Sequence, residues 1–547
     1  MNKIIIRLVN EHGWRKYHNR DMNIWLKGYI YNTPIDDLVS KVERLSELDN
    51  RIVEINEFVF QLKGHFSLII ESKNFTYAAV DRVCTIPLFY RKDSDILTIS
   101  NYPINLYNKD DVFDAQSVLE IAMSGYAIGR KTIYKEIKKL TISEYLYFDK
   151  NSDIVVGSYE SNITKHKLNS YLGGGSLSDL TLSLIKRMVE SVNGKKIAVP
   201  LSAGYDSRLI VSALREIGHE NVICYYYGRN NSFEQKASKS IARKLGYKWY
   251  DASLTYSVQK KYFRSDDYQN YKNKFDLFYG VPFVQDVSAI YFLKRRGIVD
   301  RDTVIVNGNS GDFISGGHIP PSFHNCINNK MSLSSSIFWE NFLEKHYSLW
   351  DGLRSSKNDK KIILSLNEIA IEIFGKKGVV RARIENVYEM LEYYGRQSNY
   401  VVGGQRSYDH HGLDWRLPLW DSEYIDFWKN TDFSNKYNQH KYKEMLIQQN
   451  WGNVWKDIPI NNKYIMPKWF RPARFITKSA CLGNKKIWHR IDKNIYQYWM
   501  DDTYNSSLDP YYYYVFDTLG HRNRISWQSK KYLCEKGIDI SALVSRD

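Results

Sequence analysis

A short polar loop, SAGYDS at residues 202–207, interrupts an apolar part of the sequence. It follows the strand-like run KIAVPL and precedes a helical pattern. Small residues such as Ser202 and Gly204 let the backbone approach a phosphate, and the free N–H groups at a helix N-terminus attract anions. Asp206 would be a poor phosphate contact by itself, but it suits Mg²⁺ bound to the same phosphates. The loop therefore predicts a phosphate site; the alternative is an ordinary strand-to-helix turn capped by Asp206 and Ser207.

The segments around this loop alternate between strand and helix, which predicts a parallel, doubly wound sheet. The predicted elements are strand Lys196–Leu201, helix Ser207–Ile217, strand Asn221–Tyr227, helix Phe233–Leu245 and a strand near Trp249. Ser178 is the predicted N-cap of a preceding helix, with Asp179 in its first turn. In such a sheet ligands collect at the carboxyl ends of the strands, which is where the loop lies. From about Ser332 onward, helical patterns dominate and predict a helical layer.

The first 160 residues are rich in short apolar or alternating runs, such as HFSLIIES and FTYAAVD, separated by turn residues. This pattern predicts packed antiparallel sheets. A polar and then glycine-rich stretch, residues 162–176, is the predicted domain boundary. We therefore expect one domain over residues 1–165 and a second over residues 170–547.

Composition limits the classes of protein that need to be considered. Hydrophobic residues make up 43% and charged residues 25% of the 547, as in soluble globular proteins. No run approaches the roughly 18 apolar residues of a membrane span, and the start is too weakly apolar for a signal peptide, so we expect a cytoplasmic protein with no membrane partner. The five cysteines show no metal spacing: Cys84, Cys224, Cys326, Cys481 and Cys534. The formal net charge of +16 is spread along the chain, which favours a solvated basic surface over a specific nucleic-acid site.

Three motifs resemble known nucleotide-dependent enzymes. The loop SAGYDS resembles the SGGxDS loop of ATP pyrophosphatases, with Ala203 at the first glycine. VIVNGNSGDFISGGH, residues 304–318, resembles the SGEGxDExFGGY segment of asparagine synthetases and β-lactam synthetases, and GLDWRLPLWDSEYIDF resembles their LExRxPFLD segment. The matching positions in these two segments are Gly308, Asp312, Gly316, Gly317, Leu413, Arg416, Pro418 and Asp421.

The resemblance implies an ATP-dependent ligase that forms amide bonds by adenylating a carboxylate, with release of AMP and pyrophosphate. The implied cofactors are ATP and Mg²⁺, with Asp206 and Asp312 as the metal ligands. Lys443 in HKYKEMLI is the implied catalytic lysine, with Lys441 as the alternative. Tyr227 lies where family members contact adenine. The alternative interpretation is that Tyr227 is a buried tyrosine of the strand without a role in binding. The residues expected to bind ATP or pyrophosphate are Leu201, Ser202, Gly204, Asp206, Ser207, Tyr227 and Gly308.

The N-terminal half resembles the glutaminase-type domain of asparagine synthetases in GHFSLII, VDRVCTIPLFY and LTISNYP. This implies an α+β sandwich of the Ntn-hydrolase type. Active members carry a cysteine at residue 2, whose own α-amino group serves as the base; here residue 2 is Asn2. KGYIYN resembles a damaged NGEIYN, with Lys27 and Tyr29 at the polar positions, and Cys84 has no free amine beside it. We therefore expect no glutamine hydrolysis, so the amine comes from free ammonia, a partner subunit or the second substrate.

Two further departures leave the substrate open. Asn309 stands where asparagine synthetases carry glutamate and β-lactam synthetases tyrosine, and Phe313 replaces the next acidic residue. Because an amide cannot take a proton as a carboxylate can, aspartate as the substrate is doubtful, and the expected acid is a small-molecule or peptide carboxylate. Together with Ala203, these departures also permit a catalytically inactive homologue used for binding. A tRNA-modifying ATP pyrophosphatase is the third alternative. The sequence does not decide whether the protein forms a homodimer.

Overall fold

The computed structural model describes residues 3–9, 12–149, 153–160, 176–324, 336–460 and 468–544. Asn2, Cys326 and all of the predicted boundary segment except Ser176 lie outside the described residues. Within the described part, no helix is both long and apolar enough to cross a membrane.

Two sheets form the N-terminal domain. The six-stranded sheet has the order β10-β9-β5-β4-β3-β2 with every neighbour antiparallel, and the four-stranded sheet has the order β1-β7-β6-β8. The prediction of antiparallel pairing is wrong at one edge, because β1 runs parallel to β7. The strands are β1 Lys3–Arg7, β2 Arg15–Asn19, β3 Met22–Ile30, β4 Gly64–Ser72, β5 Phe75–Val80, β6 Phe89–Asp93, β7 Ile96–Ser100, β8 Lys138–Lys139, β9 Glu144–Asp149 and β10 Val155–Ser158.

Helices complete this domain, and the sequence analysis did not foresee them. Helix α1 (Ile35–Ser46) and helix α2 (Arg51–Gln61) cover one face of the six-stranded sheet. The signal was present in α1, where Leu38, Val42 and Leu45 recur at helical spacing and are buried. Helix α3 (Ala115–Ser124) packs into the helical layer of the second domain. The predicted α+β sandwich is confirmed.

A five-stranded parallel sheet is the centre of the second domain, in the order β13-β12-β11-β14-β15. The chain runs outward from β11 to β13 and then returns to add β14 and β15 on the other side of β11. The strand order therefore reverses between β11 and β14, and this switch point opens a crevice at the carboxyl ends of the strands. The doubly wound prediction is confirmed. The strands are β11 Lys196–Pro200, β12 Val222–Tyr226, β13 Lys248–Asp251, β14 Thr303–Val306 and β15 Asp414–Arg416.

Helices surround this sheet and fill most of the chain after residue 336, as predicted; β15 is the exception. The predicted cap of the first helix is wrong: Ser176, not Ser178, is the N-cap, because its hydroxyl accepts the Asp179 N–H while the Asp179 carboxylate accepts the Ser176 N–H. A π-helical turn, Tyr393–Gln397, follows α15. The helices are α4 Leu177–Ser191, α5 Asp206–Glu216, α6 Phe233–Lys244, α7 Tyr256–Tyr262, α8 Asp266–Lys274, α9 Val287–Arg295, α10 Gly311–Ile314, α11 Pro321–His324, α12 Ser336–His346, α13 Ser356–Phe374, α14 Lys376–Arg381, α15 Ile384–Glu392, α16 Arg406–His410, α17 Ser422–Asn430, α18 Phe433–Lys436, α19 His440–Gln449, α20 Phe470–Ala480, α21 Lys485–Ile491, α22 Tyr498–Met500, α23 Thr503–Ser506, α24 Tyr511–Val515 and α25 Arg524–Glu535.

Buried polar contacts join the two domains. The Lys27 Nζ lies 3.1 Å from the Asp409 Oδ2, and both side chains are less than a tenth exposed. The Arg416 guanidinium lies over the Tyr29 ring at 4.1 Å from its centroid, and the Leu417 N–H donates to the Tyr29 hydroxyl at 3.2 Å. Lys27 and Tyr29, the residues at the altered polar positions of KGYIYN, therefore bind the second domain.

We expect Asp409→Asn to lower the free energy of unfolding by about 3–5 kcal/mol, because it leaves the Lys27 ammonium buried without its counter-charge. The Asn oxygen can still accept the hydrogen bond from the Trp415 indole, 3.0 Å long in the native protein. The double variant Lys27→Met/Asp409→Asn should recover most of this loss, and urea unfolding of both measures it. Equal destabilisation of the single and double variants would contradict the assignment.

Candidate active site

Two loops meet at the switch point: the phosphate loop (residues 202–207) after β11 and the second loop (residues 307–312) after β14. The Asp312 N–H donates to the Asp206 Oδ2 at 3.0 Å. The Tyr442 hydroxyl donates to the Asp206 Oδ1 at 3.1 Å. The structure thus brings together the two aspartates that the sequence motifs single out, although 106 residues separate them.

Glycine makes this approach possible. A Cβ atom at Gly311 would lie 2.5 Å from both the Cγ and the Oδ1 of Asp206, and one at Gly308 would lie 3.0 Å from the Asp206 carbonyl carbon. Any larger residue at Gly311 would push the Asp206 carboxylate away from the second loop. The match of Gly308 to the family motif therefore has a steric cause.

The phosphate loop is held by its own serines. The Ser202 N–H donates to the Ser207 Oγ at 3.0 Å, and the Gly204 N–H donates to the Ser202 Oγ at 3.1 Å. Helix α5 follows directly, and its N-cap, Tyr205, makes no side-chain capping bond. The first N–H groups of this eleven-residue helix are thus free of a side-chain cap, which suits an anion.

The two aspartates differ in their electrostatic surroundings. Burial and the nearby Asp312 raise the pKa of Asp206 to about 7. Burial opposes ionisation of Asp312 as well, but its hydrogen bond with His318 lowers its pKa overall. The His318 ring also bonds the fully buried Glu392, and the two carboxylates raise the pKa of His318 to about 9 against the effect of burial. At neutral pH a positive His318 therefore compensates the charge of Asp312.

A cavity of about 620 Å³, which we call the nucleotide cavity after its predicted ligand, lies over both loops. All the residues predicted to bind ATP, pyrophosphate or metal line it: Leu201, Ser202, Gly204, Asp206, Ser207, Tyr227, Gly308 and Asp312. Glu234 and Asp502 add two more carboxylates, and no Lys or Arg is among its described lining residues. Carboxylate oxygens without a balancing lysine or arginine fit Mg²⁺, which prefers oxygen ligands and accompanies phosphates.

Lys443, the predicted catalytic lysine, lies beside this cavity and is not among its lining residues. Its Nζ donates to the Asn438 carbonyl at 2.8 Å and lies 5.8 Å from the centroid of the Tyr205 ring. Tyr205 does line the cavity. The alternative, Lys441, lies over the Phe427 ring, which is not part of the cavity lining. Lys443 therefore contacts a residue of the cavity lining and Lys441 does not, but neither lysine lines the cavity itself.

Tyr227 lies one residue past the end of β12 and faces the cavity. Its ring centroid lies 6.0 Å from that of Tyr504, which also lines the cavity. Burial keeps the pKa of Tyr227 well above its usual value, so the phenol stays neutral. The two rings form an aromatic wall of the kind on which a base can stack.

The residues that made catalysis doubtful have different positions. Phe313 is 5% exposed and packs against Trp420 and His318. It therefore belongs to the core and does not line the nucleotide cavity. Ala203 is fully buried. Asn309 does line the nucleotide cavity. Of the three departures, only Asn309 places an altered side chain where a substrate would react.

Sequence reasoning missed several residues of the site. His318 directly follows the Gly316-Gly317 pair, and Tyr442 lies between the two candidate lysines. Both residues thus stand within or beside the motifs, but the motifs predicted no function for them. Asp502 and Tyr504 come from a segment with no recognisable motif, and only the folded chain brings them to the cavity. Glu392, which orients His318, carried no signal either.

A parallel sheet with a phosphate loop and a second aspartate loop at its switch point defines an ATP-pyrophosphatase domain. Residues 179–448 match the family model described as asparagine synthase, so this part of the chain is an asparagine synthase domain. No curated protein matches the sequence.

Two solved structures are similar to parts of the chain. One is the allosteric regulatory enzyme of purine biosynthesis, with 12% identity over 43% of this chain and 62% of that one, at a TM-score of 0.19. The other is glutamine phosphoribosylpyrophosphate amidotransferase from B. subtilis complexed with ADP and GMP, with 10% identity over 44% of this chain and 72% of that one, at a TM-score of 0.18. The chain thus spans less than two thirds of the first structure's length.

We expect Gly311→Ala to abolish binding of ATP with Mg²⁺, because the new methyl group would displace the Asp206 carboxylate. The matched control is Gly378→Ala, whose methyl would meet only the Phe374 Cβ at an ordinary 3.5 Å. Calorimetric titration with Mg-ATP compares the two, with circular dichroism as the check on folding. Unchanged affinity in folded Gly311→Ala would show that the nucleotide does not depend on the contact between the loops.

Proposed function

We propose that the protein is an ATP-dependent ligase that forms an amide bond by adenylating a substrate carboxylate. The observation that carries the proposal is the contact of Asp206 with Asp312 inside a cavity that also contains the phosphate loop. A carboxylate is a poor electrophile, so it must first be given a better leaving group before an amine can attack it. Attack of the carboxylate on the α-phosphate of ATP does this, because it gives an acyl-adenylate and releases pyrophosphate. An amine then displaces AMP and forms the amide.

The chain's own groups fit the first half of this reaction. The Ser202 and Ser207 hydroxyls and the amides at the start of α5 would bind the leaving pyrophosphate, and Gly308 leaves room for it. Tyr227 would contact the adenine. Asp206 and Asp312 would hold Mg²⁺, which supplies positive charge to the phosphates when bound. Placing the acid in line with the α-phosphate is the larger part of the protein's contribution.

Lys443 is the proposed cation for the charge that develops at the α-phosphate. Its position behind Tyr205 means that its side chain must leave Asn438 to reach the phosphate. The Lys443 side chain is a flexible four-carbon stem and is only partly buried, so this movement needs no change of the backbone.

The N-terminal domain would not supply ammonia from glutamine. Lys27 and Tyr29 are committed to contacts with the second domain. Cys84 is 3% exposed and donates to the Leu140 carbonyl, and burial raises the pKa of its thiol to about 11. Such a thiol is neither ionised nor accessible at neutral pH. The amine would come from free ammonia, a partner subunit or the second substrate itself.

The products of ATP cleavage test the ligase. With ATP, Mg²⁺, ammonia and a panel of carboxylic acids, we expect acid-dependent formation of AMP and pyrophosphate, and its loss in Asp206→Asn. The same variant should bind Mg-ATP at least about tenfold more weakly, because it loses a charged metal ligand. Release of ADP and phosphate instead would rule out adenylation. Tight Mg-ATP binding without turnover for any acid would favour the catalytically inactive homologue.

We further expect no glutaminase activity. Purified protein incubated with glutamine, with and without ATP, should release no glutamate above background. The matched variant is Cys84→Ala, which removes the thiol nearest to the resembling motif. Glutamate release by the native protein, whether or not it survives this substitution, would contradict the expectation; survival would also show that Cys84 is not the nucleophile.

A further inference from the structure

A second cavity of about 420 Å³ adjoins the nucleotide cavity. Gln285, Asn309, Ser310 and Asp312 line both. A group bound in the second cavity can therefore reach the second loop, where Asp312 lies. The volume is in the range of sites for small molecules, roughly 300–1,000 Å³.

The two cavities have opposite charge. The nucleotide cavity is lined by four carboxylates and, among the described residues, by no Lys or Arg. The second cavity is lined by one lysine and three arginines, Lys345, Arg396, Arg522 and Arg524, together with the positive His318, and its described lining has Asp312 as its one carboxylate. Asp312 is already engaged by His318. Lys345 lies 3.6 Å from the Glu392 carboxylate behind the lining, so it is the three arginines that lack an anion within the cavity.

The three arginines have no ion-pair partner in the described part of the chain. No carboxylate there lies within 4.0 Å of the guanidinium of Arg396, Arg522 or Arg524, although Arg is usually paired when it is buried or half-buried. The Nε of Arg524 is buried without a hydrogen-bond partner. Burial lowers the pKa of Lys345, and the nearby Arg396 lowers it further although Glu392 opposes the change. Positive charge is thus crowded at this wall of the cavity.

The arrangement of Arg522 is rigid. Its Nη1 donates to the Lys345 carbonyl at 2.9 Å and to the Ser348 hydroxyl at 2.8 Å, while its backbone N–H donates to the Leu349 carbonyl at 2.8 Å. These contacts use one of the two terminal nitrogens and leave the rest of the guanidinium for a ligand. Arg guanidinium groups bind carboxylates and phosphates through two parallel hydrogen bonds, and a fixed guanidinium does so at low entropic cost.

Arg522 and Arg524 come from residues beyond the asparagine synthase match, which ends at residue 448. Arg396 lies in the π-helical turn after α15, and turns of this kind are frequent at functional sites. The cationic wall formed by Lys345 and the three arginines is therefore assembled from three separate parts of the chain.

We propose that the second cavity binds the acid substrate and that this acid is a small polyanion: one carboxylate reacts beside Asn309 and Asp312, and a second carboxylate or phosphate is held by Arg396 and Arg522. The inference rests on the proposed ligase function for the reacting carboxylate alone. Binding of the second anion depends only on the arginines. Arg524, whose guanidinium lies over the Tyr504 ring, stands at the junction with the nucleotide cavity.

Calorimetric titration with three probes tests the polyanion site: pentanoate, glutarate, in which a second carboxylate replaces the terminal methyl group of pentanoate, and the tricarboxylate tricarballylate. We expect affinity to rise in that order. We also expect Arg396→Gln and Arg522→Gln each to weaken tricarballylate binding at least about tenfold, because each removes a charge-assisted pair. The charge-matched control, Arg301→Gln, changes an exposed arginine outside the cavity and should behave as the native protein.

The same variants separate the possible sources of the anion. Arg396→Gln and Arg522→Gln should leave Mg-ATP affinity unchanged; a tenfold loss of Mg-ATP binding with unchanged tricarballylate binding would instead assign the arginines to the nucleotide phosphates and overturn the proposal. Equal affinity for pentanoate and tricarballylate, or the same loss in Arg301→Gln, would also overturn it. Because Arg522 also ties two backbone segments, Arg396→Gln keeps the test valid if Arg522→Gln fails to fold.

Exchange of labelled pyrophosphate into ATP distinguishes this proposal from the ligase function. Arginine-dependent polyanion binding with no exchange for any acid would leave the anion site standing and remove the ligase. Exchange that monocarboxylates support as well as polyanions, and that survives Arg396→Gln, would leave the ligase standing and remove the polyanion site.

Discussion

The contact between the Asp206 carboxylate and the Asp312 backbone N–H is the constraint on which the rest of the site depends. It requires β11 and β14 to be neighbours, because only then do their following loops meet. It requires glycine at position 311, where a Cβ would overlap the carboxylate. It also concentrates negative charge at a point that burial makes unfavourable, so the site is poised for a cation.

The charge of the surroundings follows from that constraint. Carboxylates line the nucleotide cavity, and the arginines lie on the far side of the second loop. None of the three arginines lines the cavity that contains Asp206, so none competes there with a cation that Asp206 would bind. His318 is the exception: it bonds Asp312 while Glu392 holds its other nitrogen, and this fixes the orientation of the Asp312 carboxylate.

The sequence was informative wherever chemistry requires a local pattern. The strand-loop-helix unit around residues 202–207 was predictable from its own residues, because small and polar residues interrupt an apolar run there. The pairing of Asp206 with Asp312 was implied by the resemblance of the two loops to family motifs. Helices α1 and α2 were not predicted, because the many strand-like runs elsewhere in the first 160 residues indicated packed antiparallel sheets. The cationic wall could not be predicted: Arg396 and Arg522 are 126 residues apart, and the net charge of +16 gives no indication of which arginines lack partners. Long-range assembly of single residues leaves no periodic signal.

The N-terminal domain shows how a resembling motif can persist with a different use. Lys27 and Tyr29 lie in the part of β3 that pairs with β4 but extends beyond β2. Their side chains meet Asp409, Arg416 and Leu417 of the second domain. A lysine buried against an aspartate is stable only as a pair, because loss of either charge leaves the other buried in the interface without a partner, which is energetically costly. Lys27 therefore couples the N-terminal domain to the second domain. The N-terminal domain also helps to enclose the second cavity, because Ser124 and Tyr126 line it beside the three arginines.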